Sequence, residues 1–288
     1  MNLKFWHPPT GPGNFGDELN VPLFNRLFGS VFEMEKYKDV DFYGIGTIIL
    51  PGIGQHNKCA IFGSGVWEVT PRYEKKNWNV FFLRGPASSN ILGYNGEKFI
   101  TDAAYSIPLL DDMIPRLPKK YPVSVIPHML QMPLVDWKQV SEQAGVHIID
   151  PYAAVEFVMD EIASSEKIIA SAMHGAIVAD IFRVPWARLK MEILTLNEEF
   201  FVNELKWRDW LYSIGLSEKS IKVWNTHTQY NIYKFFSHKK NAYIDDIVST
   251  LKREIKNGYA FQLSSDIILV NKINCIANEV DRFLNYYK

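Results

Sequence analysis

The stretch SEKIIASAMHGAIVAD, residues 165–180, places His174 and Gly175 where one apolar run hands over to another. The first run is short and the second returns at helical spacing through Ala176, Ile177, Ala179 and Ile181, so the segment reads as strand, tight turn, helix. His174 then stands at a helix N-terminus, whose unpaired N–H groups and partial positive charge favour an anion. Ser171, Ala172 and Gly175 are small enough to let a ligand approach the backbone, and Ser171 adds a hydroxyl. Histidine titrates near neutral pH, which suits an acid or a phosphate ligand equally; a plain cap or packing role is the alternative.

Four further groups have the right types for anion or sugar chemistry. In VFFLRGPASSN, Arg84 ends a strand ahead of Gly85, Pro86, Ser88 and Ser89, the setting for a forked clamp on carboxylate or phosphate, or for an internal ion pair. In VSVIPHML, His128 also follows a strand, and ligands of open α/β sheets gather beyond such carboxyl ends. The turn-rich GPGNFGDELN leaves Asn14, Asp17 and Glu18 in or near a flexible loop; a general base facing a sugar hydroxyl is the functional use of either carboxylate, and solvation or capping the structural one. Asn20 reads as the cap of the helix that follows. AIFGSGV, with Gly63 and Ser64, is a strand-end turn open to close ligand approach, without a P-loop lysine or a full dinucleotide fingerprint.

Apolar runs at 3–6, 59–62, 79–83, 123–126, 147–149 and 167–170 must be the strands that carry these turns. Helical patterns at 133–143, 152–163 and 175–182 alternate with the later ones. Alternation of this kind predicts an α/β protein with parallel sheets covered by helices. The proline-rich DDMIPRLPKKYP at 111–122 breaks the rhythm and predicts two domains, 1–115 and 116–263, with a last helix in 264–288 packing back on the body.

The formal charge of −1 on 288 residues gives no broad steer towards nucleic acid or acidic lipid, so an anion must be held by local groups. Two distant cysteines, Cys59 and Cys275, make neither a disulfide framework nor a metal site, and fit a reducing cytoplasm. No signal segment or membrane span is legible, and no G-x-S-x-G elbow marks an α/β-hydrolase.

Taken in order, GNFGDELN, FGSGV, LRGP, TDAA, IPH and S-x-x-HG followed by AD and VP resemble the polysaccharide pyruvyl transferase family over about residues 8–186. The resemblance implies two Rossmann-like domains facing a cleft in a GT-B-like architecture, and transfer of the pyruvyl group of phosphoenolpyruvate to a sugar of a polysaccharide or its lipid-linked precursor, as a ketal. It implies no cofactor and no metal. Residues 1–115 would form the acceptor side, with Asn14, Gly63 and Ser64 at the sugar, Asp17 or Glu18 as base, and Arg84 reaching the donor. Residues 116–263 would hold the donor through His128, Ser171, His174 and Gly175. A lipid-linked acceptor would bring this cytoplasmic chain to the inner face of the membrane. Some family members carry a basic residue two positions before the motif histidine; here it is Ala172, leaving Arg183, Arg188 or Lys190 as substitutes. Two rivals share the fold: a glycosyltransferase using a nucleotide sugar, with Glu192 as its acidic residue, and a non-catalytic carbohydrate-binding protein in which Trp137, Trp186, Trp207 and Trp210 stack on sugars.

Overall fold

The computed structural model describes residues 1–191, 198–223 and 240–288, the side chains at 198–203 and 240–243 excepted. Two parallel sheets organise these residues, and each has helices on both faces. Met1–Ile114, Asn197–Glu218 and Ser264–Lys288 form one compact unit; Pro115–Leu196 and Lys219–Leu263 form the second.

The first sheet has strands β1 (Asn2–Lys4), β2 (Val40–Tyr43), β3 (Lys58–Phe62) and β4 (Trp78–Phe82) in that spatial order. Alternation sends Phe42 and Phe62 to one face. There they meet Phe24 and Phe28 of α2 (Asn20–Phe32) and Phe283 of α9 (Asp266–Tyr286), with Phe28 and Phe283 centroids 4.2 Å apart. Tyr43, Cys59 and Ile61 face the other way and pack with Leu92, which follows α3 (Pro86–Ile91), and Leu205 of α7 (Glu198–Ser213). Ser265 caps α9 by accepting from the Ile268 N–H at 3.2 Å, so the final helix begins at Asp266, two residues after the start expected at about Ser264.

The second sheet runs β6 (His147–Ile148), β5 (Ser124–Ile126), β7 (Ile168–Ala170), β8 (Trp186–Met191), β9 (Ser220–Val223) in space. Val125, Ile169, Ala187, Leu189, Ile221 and Val223 make the core with α4 (Trp137–Ala144) and α8 (Lys240–Asn257). The opposite face carries α6 (Met173–Ile181), which packs on β7, β8 and α5 (Val155–Ala163).

Several local expectations change. Strands β2, β8 and β9 were not legible from apolar runs: β2 is buried throughout but holds Asp41, and β8 holds Arg188 and Lys190, so charge interrupts the pattern. Asn14, Asp17 and Glu18 belong not to a flexible loop but to a short helix, α1 (Phe15–Glu18), with Asn14 as its cap. Asn20 is the first residue of α2, not its cap; its side chain instead donates to the Ile45 carbonyl and accepts from the Ile45 N–H at 3.0 and 2.8 Å. The segment Asn197–Glu218 returns to the first unit, although proximity in sequence grouped it with 116–263. There α7 packs on α3 and buries Trp207, Trp210 and Leu211 together with the carboxylate of Asp209, described below.

Candidate active site

The second sheet has a reversal of strand order. From β5 the chain moves to β6 on one side, then returns to β7 on the other. Ligands in open α/β sheets bind beyond the carboxyl ends at such a switch point, where neighbouring connections leave on opposite faces. His128 follows β5 and the Ser171–His174 turn follows β7, so both emerge at this place. The Ser171 N–H donates to the Ile126 carbonyl at 2.9 Å, joining the two strand ends.

His174 occupies the first turn of α6 and is half-buried. The residue before the helix, Ala172, offers no side-chain acceptor, so the helix start keeps its anion-favouring character. Gly175 has a packing reason: a Cβ there would lie 2.8 Å from the Ile126 side chain. The Ser171 hydroxyl donates to the Leu189 carbonyl at 3.2 Å, fixing the turn to β8. His128 begins a single helical turn, accepting from the Leu130 N–H through Nδ1 at 3.3 Å while Gln131 accepts from the His128 N–H at 2.9 Å. An accepting Nδ1 places the ring proton of neutral His128 on Nε2.

The substitutes for a basic residue at 172 separate by position. Trp186 donates from its indole to Asp180 of α6 at 3.0 Å, so this face of β8 looks at α6. Arg188 and Lys190 follow at two-residue steps and share that face, rising towards the carboxyl end and the α6 N-terminus. Arg188 is level with Ala170 in the sheet and is buried. Arg183, by contrast, lies past the far end of α6, about 13 Å along the helix from His174, and donates to the Asp180 carbonyl at 3.2 Å. It is no substitute.

In the first unit, the polar groups at the carboxyl ends mostly bind one another. Ser64 is fully buried and donates to the Gly44 carbonyl. Gly63 has φ +86 and leaves room for Ala103 and Phe82, where a Cβ would collide. Asp102 of TDAA caps the helical turns Ala103–Leu109, and Thr101 is hydrogen-bonded by Ser213 of α7 at 2.9 Å. Asn14 Nδ2 donates to Asp17 at 2.5 Å, and His7 Nδ1 lies 2.5 Å from Glu18 Oε1. Histidine at position 7 gives Glu18 a neighbour that the local sequence does not show.

Arg84 meets an internal carboxylate. Its side chain and that of Asp209 are both 0% exposed, with Nε 3.3 Å from Asp209 Oδ2 and Nη1 donating to Thr47 at 2.8 Å. Asp209 also accepts from the Ser88 N–H at 3.0 Å and the Ser88 hydroxyl at 2.5 Å, thereby capping α3. A Cβ at Gly65 would strike the guanidinium and one at Gly85 would strike the Asp209 backbone, which explains both glycines. Arg84 Nη2 is buried without a protein partner. The partnership of Asp209 with Arg84 was missed because the two lie 125 residues apart and α7 mixes charged with aromatic residues; the one sequence hint is an acid flanked by Trp207 and Trp210.

Trp137, Trp186, Trp207 and Trp210 are all buried and serve the core, so none offers a face to a sugar. Glu192, the acidic residue a nucleotide-sugar site would use, lies outside the described residues. Among the described residues no helix is long and apolar enough to cross a membrane.

No protein-family model matches the chain. It is similar to the succinoglycan biosynthesis protein ExoV of Rhizobium meliloti (strain 1021), with 30% identity over 226 residues that cover 77% of this chain and 68% of that protein. The likeness supports the polysaccharide pyruvyl transferase resemblance and spans most of both chains, and it shows that this chain belongs to the family of succinoglycan biosynthesis protein ExoV.

Proposed function

We propose that the chain is a pyruvyl transferase that moves the pyruvyl group of phosphoenolpyruvate onto a sugar of a polysaccharide or its lipid-linked precursor, as a ketal. The observation that carries this reading is His174 on the first turn of α6 at the strand-order reversal, with Arg188 and Lys190 on the β8 face that looks at the same helix. Phosphoenolpyruvate is small and carries both a phosphate and a carboxylate. A helix N-terminus, one histidine and two cations match that charge.

The reaction adds a proton to the vinyl carbon, making a methyl group and a cationic centre at the carbon bearing the phosphate oxygen. A sugar hydroxyl attacks that centre and gives its proton to a base. A second hydroxyl then displaces inorganic phosphate and closes the ketal, with no change of oxidation state overall. His174 delivers the first proton or neutralises the phosphate, and Asp17 or Glu18 takes the hydroxyl proton. Arg84 is held by Asp209 and Thr47, so in this reading only its Nη2 remains for a donor oxygen. The acceptor is a glycan, in keeping with a relative named for succinoglycan biosynthesis.

The test is phosphate release from phosphoenolpyruvate with galactosyl, glucosyl and mannosaminyl acceptors, beside titration calorimetry with phosphoenolpyruvate and with nucleotide sugars. Donor binding and acceptor-dependent phosphate release are the expected outcomes. Binding of a nucleotide sugar in place of phosphoenolpyruvate would give the chain to the glycosyltransferases instead.

A further inference from the structure

The tryptophans that sequence order offers for sugar stacking are buried, and the exposed ones among the described residues lie elsewhere. Trp6 and Trp67 are 43% and 42% exposed. Trp78, half-buried, is engaged through its indole N–H to the Ile53 carbonyl at 3.0 Å. Both exposed indoles stand on connections leaving the carboxyl end of the first sheet: Trp6 two residues beyond β1, and Trp67 beyond β3, held by a bond from its N–H to the Ile49 carbonyl at 3.0 Å. Leu50, from the connection between β2 and β3, is exposed beside that bond.

We infer that Trp6 and Trp67 form a stacking platform for pyranose rings of the acceptor glycan; this rests on the reading above that the chain modifies a glycan. Strands β1 and β3 flank β2, so the two connections that carry these indoles start from strand ends two spacings apart, about 10 Å. An indole offers a flat, rigid apolar face at low entropic cost, and the C–H face of a pyranose covers it. The same strand ends supply partners for hydroxyls: His7 follows Trp6 directly and touches Glu18, and Asn14 holds Asp17. Pro8, Pro9 and Pro12 stiffen the connection behind Trp6, so less freedom is lost when a ligand settles there. Apolar faces alternating with carboxylates and an amide match a sugar.

The probes are cellobiose and lactose, followed by saturation-transfer difference NMR on the full chain, with phosphoenolpyruvate titrated separately by calorimetry. Trp6→Ala and Trp67→Ala should each weaken disaccharide binding about fivefold or more. Trp67→Phe, which keeps an aromatic face, should lose less, and all three should bind phosphoenolpyruvate as the wild type does. Unchanged disaccharide affinity in both alanine variants overturns the inference, as does a wild type that binds neither sugar. Co-sedimentation with phosphatidylglycerol vesicles that disappears in the same variants, without loss of sugar binding, makes the pair a lipid contact and overturns it too. A wild type that binds disaccharide through these tryptophans but ignores phosphoenolpyruvate keeps the platform and removes the pyruvyl donor.

Discussion

The two sheets end differently. In the first, strands follow one another in sequence order, and the polar groups beyond their carboxyl ends are largely consumed from within: Asn20 binds Ile45, Ser64 binds Gly44, and Arg84 binds Asp209. In the second, the order reverses between β6 and β7, and the residues at the reversal are histidines, a serine and an uncapped helix start. A residue type suited to anion binding therefore means different things in the two places. At Arg84 it met a carboxylate the chain itself provides; at His174 topology supplies the place where ligands collect.

The contrast is most exposed to His174. Replacing a general acid lowers turnover by about 100-fold to 10,000-fold, so His174→Ala should do so in acceptor-dependent phosphate release. His174→Asn keeps a neutral donor but cannot act as an acid near neutral pH. Retained turnover in the asparagine variant assigns the histidine to phosphate binding, and wild-type turnover in both variants would remove it from the mechanism.

Asp209 tests the other side. Removing one partner of a buried ion pair leaves an uncompensated charge and costs about 3–5 kcal/mol. Asp209→Ala should lower the stability measured by urea unfolding on that scale, and Arg84→Ala in the same background should recover part of the loss because the stranded charge is gone. An unchanged midpoint in Asp209→Ala would erase the distinction between a self-satisfied sheet and a ligand-ready one.

The last effect concerns the interior of the first sheet. Burial, with the Asp41 carboxylate nearby, pushes the Cys59 thiol up from 9.0 to about 12. Below pH 9 the thiol is neutral whether folded or unfolded. Above it the unfolded chain releases the proton that the native state retains, so native stability should fall as pH rises from 9.0 to about 12. The same burial predicts that iodoacetamide labels the exposed Cys275 in the native protein well before Cys59, which peptide mapping by mass spectrometry would read.

The α/β class, parallel sheets and most strand positions were legible because apolar runs and turns report them directly. What sequence order carried less well was the chemistry. Several motifs behind the family resemblance have architectural jobs in the structure: Gly85 admits α7, Gly175 admits Ile126, Asp102 caps a helical turn, and Asp180 receives the Trp186 indole. Such residues identify a fold through its joints. The buried cation Arg188 and the partnership of Arg84 with Asp209 depend on strand facing and on chain return, and neither leaves a local periodic trace.

That chain return also sets an order of events during synthesis. Arg84 leaves the ribosome 125 residues before its counter-ion, on the order of ten seconds at ordinary elongation rates. Phe283, which closes the aromatic face under α2, arrives later still. Until then the first sheet lacks the counter-ion of Arg84 and the ring that closes its phenylalanine face. Nascent chains arrested before residue 209 should accordingly need a holding partner, whereas the strands of the second sheet through β8 are already available to pair.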